Sequence, residues 1–218
     1  MPINDLVAGQ NTAGAPLVRT EPIQERSAAR IDALLDAAAE VVDEIGFDRL
    51  TTAMVAERAG ASIGTVYRYF PDRIAVLQSL AVRNADRTTD RILEAVRDPA
   101  SSDAASAFAA GLDALVEAFR IEPGFASLRY GDVLDLRPST ASPAYAVLAD
   151  RVLDALSERF SLPKAPESIV ALESAIVAAD AFAARAFARD PRGHAPFLAR
   201  IPVVCTALLA EYFGASPR

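Results

Sequence analysis

At 218 residues the chain is long enough to bury a sizeable core, as one domain or as a small domain joined to a larger one. Its net charge of −7 argues against a general nucleic-acid coat protein. Its single cysteine, Cys205, excludes an intrachain disulfide and fits a reducing compartment. Apolar content is high and much of it is alanine, while glycine and proline gather between periodic segments, so the chain reads as all-α. The start of the chain lacks the cationic stretch and apolar run of a secretory signal. No run of about 18 apolar residues occurs, and the longest candidate, Ala175 to Ala188, is interrupted by Asp180 and Arg185. A cytoplasmic protein without membrane contact is expected.

In chain order, residues 1–22 mix Pro, Gly, Asn and Thr without periodicity and are expected to form a disordered arm. Arg19 in that arm is a candidate to reach a DNA groove, an idle tail being the plainer alternative. From Glu25 a helical stripe runs through Ile31, Leu34, Leu35, Ala38, Val41, Val42 and Ile45, and Gly46 ends it. Phe47 and Leu50 are expected to pack beneath. Two short helical patterns then meet at Gly60, which accepts a sharp turn at little steric cost. Thr51 or Thr52 caps the first, with Met54, Val55 and Ala59 facing inward and Ala56 and Ala59 small enough for close approach. Ser62 caps the second, Ile63 to Phe70. This is the local design of a helix-turn-helix, whose second helix enters the DNA major groove.

That second helix carries the chemistry. Thr65, Tyr67, Arg68 and Tyr69 offer hydroxyls, a guanidinium and aromatic rings, the groups that bond to phosphate oxygens and base edges. Gly64 inside a helix costs roughly 1 kcal/mol relative to alanine. A face pressed against DNA accounts for it, and a frayed helix start is the alternative. Acids outnumber bases over residues 19 to 75, yet none lies between Arg58 and Pro71, where Arg58 and Arg68 stand and Arg73 follows. A sequence-specific reader needs positive charge only at its contact face.

A leading Thr (Thr51 or Thr52), the turn Ala56 to Gly60, and Ser62, Gly64, Thr65, Tyr67, Tyr69, Phe70 and Arg73 together resemble the signature of the tetracycline-repressor (TetR) family. The resemblance covers roughly residues 27 to 80. Arg73 stands where the family usually has Lys, keeping the charge; Ile74 replaces a common acidic residue and Ala61 a common Val. The resemblance implies a helix-turn-helix domain over residues 23–72 and a helical ligand-binding and dimerisation domain over 73–218. It also implies DNA contacts from Thr52, Ser62, Gly64, Thr65, Tyr67, Arg68, Tyr69 and Arg73. Ser62, Thr65 and Arg68 would approach base edges and Thr52, Tyr67, Tyr69 and Arg73 would bond phosphates, with Arg30 as a further candidate.

Beyond the turn, Asp72 caps a helix expected to reach Arg97 before Asp98-Pro99 breaks it, a mechanical link between two domains. Asp103 to Ile121 follows, with Phe108, Leu112, Leu115, Val116 and Phe119 on one side. Pro123-Gly124 interrupts, and Phe125 to Leu136 is expected to be short and irregular. Pro138 and Pro143 bracket a loop before a helix from Ala144 to Phe160, and Ser161 to Pro166 separates two last helices at about 167–189 and 196–213. The first of these carries Ile169, Leu172, Ile176, Ala179, Ala183 and Phe187, the second Phe197, Ile201, Val204, Leu208 and Phe213. The residues alone leave open whether these stripes complete a monomer core or form an interface. The resemblance implies a homodimer joined by a four-helix bundle of these helices, two reading helices about 34–36 Å apart then matching a palindromic operator.

Aromatic residues gather near breakers between the linker and the last helices. A mostly apolar small-molecule pocket is expected among Phe108, Leu112, Phe119, Phe125, Tyr130 and Tyr145, an ordinary aromatic core being the alternative. Arg129, Asp132 and Asp135 are candidate polar anchors. Asp180 lies in an apolar helix, where an unpaired carboxylate is expensive, so it is exposed, structurally paired or used by a ligand. Arg185 is too far along the helix to be its ideal partner. Enzyme readings are thin. His194 has no metal partners at ligand spacing, and Cys205 sits on an apolar stripe. Ser161 and Lys164 match an acylating Ser-x-x-Lys pattern, but Pro163 makes a loop there. No nucleotide fingerprint, cofactor or metal site is expected. The best reading is a ligand-responsive transcriptional repressor, the alternative a helical small-molecule-binding protein without sequence-specific DNA binding.

Overall fold

The computed structural model describes residues 21–129 and 144–213, and these residues form helices and the turns between them. The helices are α1 (Glu21–Ile45), α2 (Thr52–Arg58), α3 (Ile63–Tyr69), α4 (Arg73–Arg97), α5 (Ala104–Ile121), α6 (Ala144–Phe160), α7 (Pro166–Phe187), α8 (Ala195–Leu198) and α9 (Arg200–Phe213). A single 3-10 turn, Phe47–Arg49, joins α1 to α2. The all-α expectation holds. Helix α1 starts at Glu21, a turn before the expected Glu25. Residues 21 and 22, expected to belong to the arm, are helical, and the rest of the arm, with Arg19, lies outside the described residues.

Local chemistry sets the helix ends. Thr51 Oγ1 accepts from Met54 N at 3.2 Å, Ser62 Oγ from Thr65 N at 3.1 Å and Asp72 Oδ1 from Ala75 N at 2.8 Å. Each such cap stabilises its helix by about 1 kcal/mol. Asp103 and Ser106 cap α5 reciprocally, and the Ser106 backbone N–H holds the Asp103 carboxyl below its usual range. At the other end of the chain, the expected helix over 196–213 is divided. Pro202 has no N–H to bond the Leu198 carbonyl, so α8 stops there and α9 begins at Arg200.

Two hydrophobic cores share the long helix α4. Val76, Leu77 and Leu80 join Leu34, Leu35 and Val42 of α1, Leu50, and Val55, Val66 and Phe70 of the α2–α3 unit. Ile92, Leu93 and Val96 join a second core built by α5, α6, α7 and α9. The turn after α5 plugs both. Phe125, fully buried, belongs to the second core, and Leu128, three residues later, belongs to the first. Gly124 N donates to Asp43 Oδ1 of α1 at 3.2 Å, and buried Glu122 pairs with Arg91 and, at 3.8 Å, with Arg87 of α4. At the far end of α4, Arg159 of α6 donates to Val96 O at 2.6 Å and Ser101 O at 2.9 Å, covering carbonyls left open where the helix stops.

Two inward assignments are corrected. Met54 is 39% exposed and Phe47 is 37% exposed, while Leu50, Val55 and Ala56 fill the space beneath α1. A helix of one or two turns has one buried face, and Thr52, Val55 and Ala56 occupy it.

Candidate nucleic-acid interface and ligand cavity

The α2–turn–α3 unit presents its last helix to solvent. Gly60 makes the turn with φ +59°. Val66 is fully buried and anchors α3, leaving Ile63, Gly64, Tyr67 and Arg68 exposed. An added Cβ at Gly64 would meet only Ser62 Oγ, at 3.8 Å, so nothing inside the protein requires a glycine there. Close approach of an outside surface supplies a reason for it. Ser62 and Thr65 share a hydroxyl hydrogen bond of 2.9 Å as well as the cap, which holds both side chains at the start of α3.

The other predicted contacts divide into presented groups and groups engaged by bonds within the protein. Tyr67 is 53% exposed, and Thr52, nearly buried, donates its hydroxyl to the Tyr67 phenol at 3.3 Å, fixing α2 to α3. Arg68 lies 4.8 Å over the Tyr69 ring and donates Nη2 to its hydroxyl at 3.1 Å. A hydrogen bond from Ser27, with Arg68 and Arg30 close by, holds the Tyr69 phenol below its usual range. Arg73, though exposed, is tied to the chain before α2, and its Nη1 donates to Asp48 O at 2.7 Å and Leu50 O at 3.4 Å. Arg58 is bound to α1 by Glu40 at 3.1 Å and Glu44 at 2.7 Å. The hydrogen bond from Arg58 keeps the Glu44 carboxyl below the ordinary carboxylate range. The positive charge on this face therefore centres on Arg68, with Arg26 and Arg30 exposed on α1. Ile63, 44% exposed at the head of α3, was missed by sequence reasoning. An apolar side chain there suits a thymine methyl. The signal was present, since Val66 already serves as the inward residue of this short helix.

In the C-terminal half the predicted pocket residues separate. Phe108 and Leu112 line a groove of about 760 Å³ between α5 and α9, together with Val116, Ile201, Cys205 and Leu209. Asp113, Glu117 and Arg120 supply its polar wall, and Arg120 donates to Glu117 at 2.8 Å. Cys205 Sγ donates to Ala175 O at 3.4 Å, and burial pushes its thiol up to about 11. Phe119 and Phe125 lie in the core instead, ring centroids 5.0 Å apart and nearly perpendicular, with Phe187 stacked on Phe119 at 5.2 Å. Asp180 accepts from Tyr145 Oη at 2.9 Å and Arg129 Nε at 3.1 Å, a buried polar cluster within the bundle rather than part of the groove. Tyr130, Asp132 and Asp135 lie outside the described residues.

The two last long helices also bury more than expected. Leu172, Ile176, Ala179, Ala183 and Ile201 belong to the second core. The solvent side of the same helices carries Val170 and Val177 on α7 and Val203 and Leu208 on α9, between 40% and 61% exposed. No helix among the described residues is long and apolar enough to cross a membrane.

The family model described as "Bacterial regulatory proteins, tetR family" matches residues 34–80, and that of the "Tetracyclin repressor-like, C-terminal domain" matches residues 102–213. The chain belongs to the tetR family. An HTH-type transcriptional repressor KstR of Mycolicibacterium smegmatis is 35% identical over 80 residues, covering 35% of this chain and 39% of that protein. A fatty acid metabolism regulator protein of Bacillus subtilis is 30% identical over 69 residues, covering 32% and 36%. The chain thus spans less than half the length of the curated relatives it matches. Among solved structures, a TetR-family transcriptional regulator from Streptomyces coelicolor superposes with a TM-score of 0.71 at 28% identity, over 85% of this chain and 98% of the other. Its likeness extends the family fold across both cores.

Proposed function

We propose that this chain is a ligand-responsive transcriptional repressor that binds a palindromic operator as a homodimer. The bare, exposed Gly64 on an acid-free α3, flanked by Tyr67 and Arg68, is the observation that carries the reading. Residues 23–72 form the DNA-reading unit and 73–218 the responding unit in this reading. Ser62, Gly64, Thr65 and Arg68 approach the bases, joined by Ile63, and Tyr67 and Tyr69 bond phosphates. Thr52 and Arg73, committed to Tyr67 and to the Asp48 and Leu50 carbonyls, act by positioning α3 and the start of α4. A protein that reads chromosomal DNA works in the cytoplasm.

The exposed valines of α7 and α9 form the subunit interface, pairing into a four-helix bundle with a second copy. The effector is a small, partly apolar molecule that enters the α5–α9 groove, whose volume lies within the ordinary range of ligand sites. The name of one relative, a fatty acid metabolism regulator protein, supports a partly apolar effector. Effector binding at α5 is transmitted along α4, and by reciprocity operator DNA must weaken effector binding by the same factor.

The test is selection of sheared genomic DNA by the purified protein at near-physiological salt, followed by sequencing. Recovery of a short palindrome bound by a dimer is expected. Failure to enrich any sequence, from folded and dimeric protein in the presence and absence of cell-extract small molecules, would leave the small-molecule-binding alternative in its place.

A further inference from the structure

The middle of α4 departs from the pattern of its two ends. Leu77, Leu80, Asn84, Thr88, Ile92 and Val96 succeed one another at spacings of three and four along one stripe, and each is 5% exposed or less. The first two belong to the DNA-reading core and the last two to the second core. Asn84 and Thr88, both 0% exposed, stand where one core gives way to the other. No described group bonds Asn84 Oδ1, Asn84 Nδ2 or Thr88 Oγ1. Three arginines of this stretch do have partners on neighbouring elements, Arg83 with Asp36 of α1 and Arg87 and Arg91 with Glu122.

Burying a polar group without a partner is costly, enough to shift a local opening equilibrium by about tenfold or more. A helix serving only as a rigid beam would carry apolar side chains at both positions, as it does one turn to either side. We propose that Asn84 and Thr88 make the middle of α4 a polar seam, at which the helix opens and shifts between two settings of the DNA-reading unit. That these settings regulate DNA binding rests on the repressor reading. That α4 opens at its middle does not, since it follows from burial and bonding alone.

Amide hydrogen exchange on the full chain tests the seam without DNA or effector. Amides of residues 83–89 are expected to exchange at least tenfold faster than those of 76–80 and 92–96. Replacing Asn84→Leu together with Thr88→Val, each keeping the branching of the original side chain, is expected to slow the middle at least tenfold and raise the melting temperature. Thr88→Val alone, an isosteric change, gives a smaller slowing and serves if the double variant fails to fold. A middle as protected as the ends, as an ordered water bridging the two side chains would make it, overturns the seam. So does a fast middle that neither substitution slows. The DNA fragment recovered by selection supplies a second arm. Binding it should change exchange over 83–89 in the wild type and not in the double variant. An equal change in both removes the regulatory role while leaving the first arm to decide the seam. If selection recovers no fragment, the repressor reading falls and the exchange result stands by itself.

Discussion

Gly124→Ala is the perturbation that best tests how the two cores are joined. Gly124 adopts φ +74°, a region that costs an alanine roughly 1–2 kcal/mol. The added methyl would also lie 3.1 Å from Val42 Cγ1 and 3.2 Å from the Ala39 carbonyl oxygen. Both belong to α1, and a carbonyl inside a helix cannot swing aside, so the turn must lift away. Overpacking of this kind costs about 1–3 kcal/mol. Together the two effects predict a loss of about 2–5 kcal/mol, with weakening of the Gly124–Asp43 hydrogen bond. Gly60→Ala is the internal control. Its φ is +59°, but nothing lies within 4 Å of the added Cβ, so only the conformational cost applies. Urea unfolding of both variants, followed by far-ultraviolet circular dichroism, separates the terms. A Gly124→Ala variant no less stable than Gly60→Ala would refute the claim that this turn is pressed onto α1.

Two further predictions concern recognition and assembly. Arg68→Ala should weaken binding to the selected DNA by roughly 1–3 kcal/mol and relax base preference at one position per half-site if it reads guanine. Competition with single-base variants of the site measures this, and an unchanged affinity would remove Arg68 from the interface. Val177→Asp with Val203→Asp should convert dimer to monomer in light scattering while the helical spectrum is kept, and a dimer that survives would place the interface elsewhere.

What could be read from the sequence was what neighbouring residues decide. Thr51, Ser62, Asp72 and Asp103 each cap through a side chain reaching three residues ahead, and the expected starts of α2, α3, α4 and α5 follow from them. The end of α4 at Arg97 is marked by Asp98-Pro99 in the same local way. What long-range packing decides was hidden. Arg58 finds Glu44 and Glu40 across 14 and 18 residues, Arg73 finds Asp48 across 25, and Asp180 finds Arg129 across 51. Orientation failed where the pattern is ambiguous. Helix α2, at seven residues, leaves its phase unfixed, so Met54 was read inward. Helix α7 is apolar on both faces because alanine fills it, and its stripe could not distinguish the core side from the valines outside.

The pairing of Arg58's charge bears directly on how a chain of net charge −7 meets DNA. By sequence, Arg58 counts among the positive residues of the reading unit. In the fold its guanidinium bonds two carboxylates of α1, so its field at a phosphate is largely cancelled. Each phosphate neutralised by a protein cation adds about 0.9 to the slope of log affinity against log salt. Arg58→Ala should therefore leave that slope unchanged on the selected DNA. Were Arg58 a phosphate contact, the slope would fall by about 0.9 for each half-site, and a titration from low to physiological salt resolves that difference. A fall of that size would mean that Glu40 and Glu44 release the arginine on binding. An unchanged slope would confine the electrostatic footprint to Arg68 and the exposed arginines of α1, with the acidic remainder limiting attachment to unrelated DNA.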